Sequence, residues 1–456
     1  MCYQKLFFVS VLFAGLLMMG CDKKDKESDS VETGSVTEID LDKVMKSPYS
    51  DLSPNEQKVK LEQECIDLLN DLNAATSLQA IDVFENFIDL LDRDEPEIDD
   101  PWQEGNSKKT IQSIFKITNV YGVFTWNRNQ WVKTSSKSEL KFVFPANGRT
   151  GDNNASLSLK AVNSNATFIE EWYDDWNDET YEDIIYLPSS ATGILTVDKK
   201  EIAKIEANAK YRKDPLDFDG IYGNPPESSQ FKITTSEKYV FWYHVSGSGN
   251  ETKYEMQLSF DKNPLIEAQF KVGIGLEKFF DKVESVEEIE DLKKIFGKVA
   301  TMGYLKLMDN LVLIYQVDDI PQFAIEIDKI FYEEPDYWYN PDYYKVYGQN
   351  LKKSCDNMAK AMNDYMVVSL ASTKDGTKIA ELVAKSEKVG EHWNNDFWNG
   401  SYWSWGNNYT WKYDEYDLKL YLRFGDKSLV EAEAYFSEGF GRFENKWEDF
   451  VDAFNR

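Results

Sequence analysis

From about residue 110 to residue 275 the apolar side chains recur at every second position, and this period constrains the chain more than any other feature. Ala203, Ile205, Ala207, Ala209 and Tyr211 alternate with Lys204, Glu206, Asn208 and Lys210. Tyr254, Met256, Leu258 and Phe260 alternate with Glu255, Gln257 and Ser259; after an Asp261-Lys262-Asn263-Pro264 turn, Ile266, Ala268, Phe270 and Val272 repeat the pattern. Successive side chains of an extended chain point to opposite faces, so clean alternation predicts one buried face and one solvated face. Antiparallel sheets tolerate that asymmetry, whereas parallel ones bury both faces. Short turns such as Asp198-Lys199-Lys200 and Ser246-Gly247-Ser248-Gly249-Asn250 predict consecutive strands joined as a meander.

Helical spacing brackets the sheet. Ser53-Pro54-Asn55-Glu56 offers a capping serine, a proline at the first helical position and a glutamate to complete a capping box. Val59, Leu61, Cys65, Leu68, Leu69 and Leu72 follow at helical spacing, and a second helix after Thr76-Ser77 turns Leu78, Ile81, Phe84, Phe87, Ile88 and Leu91 inward. Beyond the sheet, Leu276, Phe279, Phe280 and Val283 are again helical; Ser285-Val286-Glu287-Glu288 reads as a second capping box and Gly297 as a stop. Residues 303–316 read as strand, 320–332 and 344–364 as helices, and Lys374-Asp375-Gly376 as a hairpin turn. Leu418, Leu420, Leu422 and Phe424 alternate in a closing strand, and Phe440, Phe443, Trp447, Phe450, Val451 and Phe454 mark a last helix. The expected class is α+β, a large antiparallel meander flanked by N-terminal and C-terminal helices. No glycine- or proline-rich linker cuts the body. Residues 53–275 should hold the helical pair and the sheet, and residues 276–456 a mixed helix and hairpin lobe continuous with them.

The first 52 residues are of another kind. Lys5 precedes an apolar run over residues 6–19, and the small Gly20 precedes Cys21. This is the order of a signal peptide, and the run is shorter than the roughly 20 residues a membrane span needs. Met18-Met19-Gly20-Cys21 resembles a bacterial lipoprotein lipobox, with Met18 where leucine is usual. The resemblance implies that residues 1–20 are removed and that the Cys21 thiol carries a diacylglycerol. Two or more acyl chains, at about 0.8 kcal/mol per buried methylene, hold a protein stably on a bilayer. An ordinary secretory signal with an incidental cysteine is the alternative. Residues 21–52 read as a disordered polar tether, since Asp22 to Ser30 contain no apolar residue to offset the entropy of ordering. Acids just after such a cysteine resemble a Bacteroidota surface-export signal, but Lys23, Lys24 and Lys26 interrupt them. Both the periplasmic side of the outer membrane and the cell surface stay open.

Charge removes one class of partner. Residues 1–20 contain a single charged residue, Lys5, so their loss moves the net charge from −29 to −30. Such a body repels phosphate backbones, and no nucleic acid partner is expected. Beyond Cys21 the chain has Cys65 and Cys355. Cys65 falls in a helical stripe and reads as a buried thiol, with a disulfide between the two left open.

Chemical signatures are few. His244 and His392 are the only histidines, and no His-Glu-x-x-His, Cys-x-x-Cys, Gly-x-Ser-x-Gly, phosphate loop or dinucleotide fingerprint occurs. No catalytic residue, metal site or cofactor is expected. His244 shares a strand face with Val240 and Trp242 and reads as a packed or hydrogen-bonded ring. Cys355 reads as a buried thiol in preference to a thiol–imidazole pair with His392. An EF-hand alignment on Gly220 puts Pro215 and Pro226 at positions that need carboxylates, so that stretch reads as a turn.

Aromatic residues cluster beside acids and amides in three stretches: residues 170–178, 336–344 and 392–405. They supply the candidate ligand-binding residues Trp172, Trp176, Trp338, Trp393, Trp398, Trp403 and Trp405. Lacking clean periodicity, the stretches read as surface loops, where large apolar groups often mark binding. Indole faces with nearby carboxylates and amides suit a carbohydrate or a peptide. The alternative is that these loops fold back to seal the core.

The lipobox, the tether, the Trp126-Asn127 strand pattern and a Phe424-Gly425-Asp426-Lys427-Ser428 turn followed by Tyr435-Phe436 together resemble uncharacterised lipoproteins of gut-type Bacteroidota. The resemblance implies an α+β body and carries no activity. The expectation is a membrane-anchored binding or interaction lipoprotein of the cell envelope with a glycan or protein ligand. A carrier of an apolar ligand, housed beside Ala203, Ala207 and Ala209, is the alternative. A glycoside hydrolase using paired acids such as Asp174 and Asp175 ranks third.

Overall fold

A computed structural model describes residue 36 and residues 38–437, except residues 76–77, 95–120, 175–178, 214–215, 219–220, 224–225, 249, 284, 287, 309, 329–342, 395, 399–402 and 406–410. Cys21, Trp176, Trp338 and the helix expected over residues 440–454 therefore lie outside the described residues.

The described chain forms an 18-stranded, mostly antiparallel sheet, as the alternation predicts. It opens with β1 (Gly122–Trp126), β2 (Trp131–Thr134) and β3 (Leu140–Phe144), and β1–β3 is its one parallel pair among the described residues. The long hairpin β4 (Ala155–Asp174) and β5 (Glu179–Val197) follows, then β6 (Lys200–Tyr211). Two short strands, β7 (Leu216–Phe218) and β8 (Ile221–Gly223), pair beside the far end of β4. β9 (Pro226–Thr235) then returns along β6 and starts an unbroken meander through β10 (Tyr239–Ser248), β11 (Glu251–Phe260), β12 (Asn263–Val272), β13 (Thr301–Leu307), β14 (Leu311–Val317), β15 (Met366–Ser372) and β16 (Thr377–Asn394). A small separate hairpin, β17 (Asp396–Trp398) with β18 (Trp403–Trp405), precedes β19 (Trp411–Arg423) on β16 and β20 (Leu429–Glu431) on β19.

Turn chemistry fixes one edge of the sheet. Asp198 and Lys199, like Asp261 and Lys262, both have positive φ, which is the two-residue turn whose twist matches antiparallel strands. The turn at residues 373–376 lies on the same edge, with Gly376 at φ 66°.

Helices cover the apolar face: α1 (Leu41–Met45) is the exception, and α2 (Pro54–Ala75), α3 (Gln79–Arg93), α4 (Leu276–Val283), α5 (Asp291–Phe296), α6 (Ile320–Asp328) and α7 (Tyr343–Tyr365) pack there or beside it, with α8 (Ala432–Phe436) near the end. The Ser53 capping box forms: Ser53 N donates to Glu56 Oε2 at 2.8 Å and Glu56 N to Ser53 Oγ at 3.4 Å. Tyr435 Oη donates to Pro54 O at 2.9 Å and Tyr239 Oη to Asp71 O at 2.7 Å, pinning both ends of α2. Along α3, Phe87 meets Phe142 and Phe144 at 5.2 and 5.0 Å between ring centroids, in the core under β1–β6. Ala203 belongs to that core, with α3 beside its strand.

Two local expectations need correction. The tether was expected to run to residue 52, yet α1 lies against the sheet, with Ile39, Leu41, Val44 and Met45 packed on Tyr304, Val312 and Ile314. Pro48 O then accepts from Lys378 N and Ser50 N donates to Lys378 O, both at 2.9 Å. Four apolar residues after Glu38 suffice to dock a stretch that looks polar on average. The second capping box is displaced, for Ser285 Oγ donates to Lys282 O and α5 begins only at Asp291. Cys65 and Cys355 are separate buried thiols, which agrees with the reading of each as buried.

Candidate functional site

Of the aromatic stretches, the described residues 170–174, 392–394, 396–398 and 403–405 are strand and not loop, while 343–344 open α7. Trp172 stands on β4 opposite Tyr181, and Trp393 on β16 opposite Lys412. Trp398 pairs Trp403, Trp405 pairs Asp396, and Trp411 opens β19 opposite Asn394. Register breaks lie just upstream of these stretches: β4 shifts at Val162, Asn163 and Ala166, and β16 at Lys388 and Gly390. Each such irregularity resets which residues share a face.

Meander parity places both groups at one edge, opposite the tight two-residue turns. It does not bring them together. Ten strand-to-strand steps separate β4 from β16 along the sheet. In the β16–β19 connection Trp393 lies at the end of β16, Trp398 pairs with Trp403 across the β17–β18 hairpin that also holds Trp405, and Trp411 opens β19. Beside it, His392 stacks on Tyr413 at 4.9 Å and its Nδ1 lies 3.4 Å from Glu415 Oε1. Gly348 of α7 permits this packing, since a Cβ there would sit 2.6 Å from Tyr413 Cβ. Cys355 Sγ, on α7, donates instead to Tyr416 O at 3.5 Å. The thiol and the imidazole thus engage different neighbours on β19.

Sequence reasoning missed a second group, on the face expected to be solvated. Glu267 is 1% exposed, Lys306 3% and Gln269 4%. Lys306 Nζ donates to Glu267 Oε2 at 2.8 Å, and Gln257 Nε2 to Glu267 Oε1 at 3.0 Å. Glu255 accepts from Lys253 Nζ at 2.7 Å and Gln269 Nε2 at 3.2 Å on one oxygen, with His244 Nδ1 at 3.3 Å from the other. Burial alone would push the Glu255 carboxyl up; the hydrogen bonds from His244 and Lys253 outweigh it and hold it at about 2. His244 is therefore a hydrogen-bonded ring, stacked on Trp242 at 5.8 Å. The sequence signal was the recurrence of Glu, Gln and Lys at matched positions on consecutive strands.

A third feature is apolar. Tyr254, Ile274, Phe279, Phe296, Val299 and Ile320 line a cavity of about 90 Å³ where β11 and β12 meet α4, α5 and α6. Its wall includes the Phe279–Phe296 stack, with centroids 5.5 Å apart.

Among the described residues no group of three His, Cys, Asp or Glu is placed to hold a metal ion, and no helix is long and apolar enough to cross a membrane. No family model, no curated protein and no solved structure matches this chain.

Proposed function

We propose that the chain is a lipid-anchored binding protein of the cell envelope, held to the outer membrane through Cys21, whose body takes a carbohydrate or peptide ligand. The observation that carries the binding half is the β16–β19 connection, where Trp393 and Trp411 stand at the facing ends of β16 and β19 and the three-residue strands between them hold Trp398, Trp403 and Trp405. Hairpins of three-residue strands are marginal on their own, and indole-rich ones are suited to holding a flat apolar face against a ligand while amides and acids nearby take its hydrogen bonds. The net charge of −29 opposes nucleic acid. The lipobox-like Met18-Met19-Gly20-Cys21 supports the anchor, as does the likeness to Bacteroidota lipoproteins.

Glycan and peptide arrays, followed by tryptophan fluorescence titration of the best hit, test the binding. Trp398→Ala and Trp403→Ala should each weaken it, by about tenfold for a stacked ring. Silence on both arrays defeats the reading. For the anchor, Cys21→Ser should abolish labelling by radioactive palmitate and release the protein from membranes; retention of both rejects lipidation.

The apolar cavity favours a second reading, a carrier of a small apolar ligand. Its volume of about 90 Å³ is below that of an engineered cavity of roughly 150 Å³ that admits benzene, so it suits the end of one alkyl chain. Native mass spectrometry should then show a co-purified apolar adduct that Ile274→Trp removes; a bare spectrum from cells grown with and without added fatty acid argues against it.

A further inference from the structure

The cavity between the sheet and α4, α5 and α6 is unevenly enclosed. Its floor is fixed, since Val272, Ile274, Val299 and Ile320 are all buried. Thr252, a polar residue of the wall, donates its hydroxyl to Ile274 O at 2.7 Å, so its one donor is already engaged. Water needs polar partners in such a space, whereas hydrocarbon gains by leaving water for it. The roof is α5. Its Leu292 and Phe296 close the cavity, although no residue of that helix is buried.

A helix without buried residues depends on its fastenings, and those of α5 are polar. Lys293 pairs with Asp319, which joins the residue after Leu292 to the residue before Ile320 and so spans the rim of the cavity. Lys282 Nζ of α4 donates to Ile295 O at 3.0 Å. Gly297, at φ 71°, ends the helix. Regions with few buried contacts open at low free energy. The side chains of Lys293 and Asp319 keep 35% and 14% of their exposure, so solvent reaches the pair, and such a pair stabilises little. Asp319 also caps α6, its Oδ1 accepting from Gln322 N at 3.3 Å.

We infer that α5 is a flap over this cavity, latched by Lys293 and Asp319, and that the site takes the methyl end of a fatty acid whose carboxylate replaces Asp319 on Lys293. The inference rests on the carrier reading and adds the entrance and the polar end of the ligand. An unbranched chain suits a space of about 90 Å³, which is small beside the cavity of roughly 150 Å³ that admits benzene. The net charge of −29 opposes a carboxylate only weakly at the rim, since exposed charges farther than about 8 Å are screened at physiological salt.

The test is a titration of the full-length protein in digitonin, a detergent without an unbranched alkyl chain, followed by the terminal methyl resonance of the ligand. The probes are the alkanoates from butanoate to dodecanoate and the matching 1-alkanols. Affinity should rise about fourfold per added carbon and level off once the cavity is full. The methyl resonance should shift beside the Phe279 and Phe296 rings. Asp319→Asn keeps the cap on α6, frees the flap and leaves Lys293 to the ligand. It should tighten both series about two- to fivefold, the range for an exposed ion pair. Lys293→Met frees the flap but removes the partner of the carboxylate, so the alkanols alone should tighten. Wild-type affinities for both series in both variants overturn the flap and leave the carrier reading standing. Equal tightening of both series in Lys293→Met overturns the fatty-acid assignment. Affinity that climbs to the longest chain without levelling puts the ligand outside the cavity and overturns the site. No binding by any chain removes the carrier reading, and the flap falls with it.

Discussion

On one side of β11, β12 and β13 lie Leu258, Ile266 and Ala268, exposed by 9%, 5% and 5%; on the other lie Glu267, Gln269 and Lys306, exposed by 1%, 4% and 3%. The two faces are equally shielded from water, by opposite chemistry. On the first, burial itself is the driving force, at roughly 25 cal/mol per Å² of apolar surface. On the second, each group exchanges water for a protein partner, and the net gain is small or negative. Stability should therefore reside in the apolar face, and register in the polar one. A slip of one residue would carry Glu267 and Lys306 among the leucines under α2, so their presence excludes that alternative pairing.

The sharpest way to break this comparison is to empty the apolar side. Phe87 is 1% exposed and rings from β2 and β3 surround it. Phe87→Ala should lower unfolding free energy by about 3–5 kcal/mol in urea titration. A loss below about 1 kcal/mol would mean that the aromatic core carries little of the stability.

On the polar side the pattern of effects should differ. Lys306→Met removes the counter-ion of the buried Glu267 carboxylate and should cost about 3 kcal/mol, whereas Lys306→Met combined with Glu267→Leu should recover most of that. Urea midpoints of the single and double variants decide it. If the double variant is as unstable as the single one, the pair stabilises in its own right and the contrast between faces fails.

A smaller effect probes how tightly the two faces are joined. A Cβ at Gly303 of β13 would lie 2.3 Å from the Phe270 ring and 2.5 Å from Gln269 O. Gly303→Ala must push β12 and β13 apart, at about 1–3 kcal/mol. Thermal melts of this variant should show the loss, and a wild-type midpoint would mean that the strands yield without strain.

The sequence carried the sheet and its helices because each run repeats a period long enough to read: β6, β11 and β12 by twos, α2 and α3 by threes and fours. It carried the turns because Asp261-Lys262 and Lys374-Asp375-Gly376 are local chemistry. What it could not carry is burial of the second face. Glu255, Gln257 and Glu267 look like solvent-facing residues along their own strands. Only the cross-strand register, a non-local property, lines them up as partners. The tryptophans were misplaced for a related reason, since Trp172 and Trp393 stand at the ends of long strands where pairing with β5 and β19, not alternation along the strand, marks the stretch as sheet. Docking of Tyr49 was equally invisible, for it depends on Gly425, whose Cβ would lie 2.7 Å from Tyr49 Cβ.

Acid should separate the two faces by their slopes. Glu255 and Glu381 are both held at about 2, against an ordinary 4.5: burial pushes each up, but bonds from His244 and Lys253 to the first, and from Lys378, Arg423 and Tyr49 to the second, prevail. A carboxylate whose pKa is depressed on folding contributes stability that is complete above its unfolded value and lost as pH falls through the folded one. The urea midpoint should therefore decline between about pH 4.5 and pH 2. Glu255→Gln removes one titrating group and should flatten that decline slightly, because many other carboxylates share it. Phe87→Ala touches no ionisable group and should shift the whole curve downward without changing its slope. A slope unchanged in both Glu255→Gln and Glu381→Gln would mean that the polar face holds these carboxylates no more firmly than water does, and the network of His244, Lys253 and Gln269 would lose its energetic meaning.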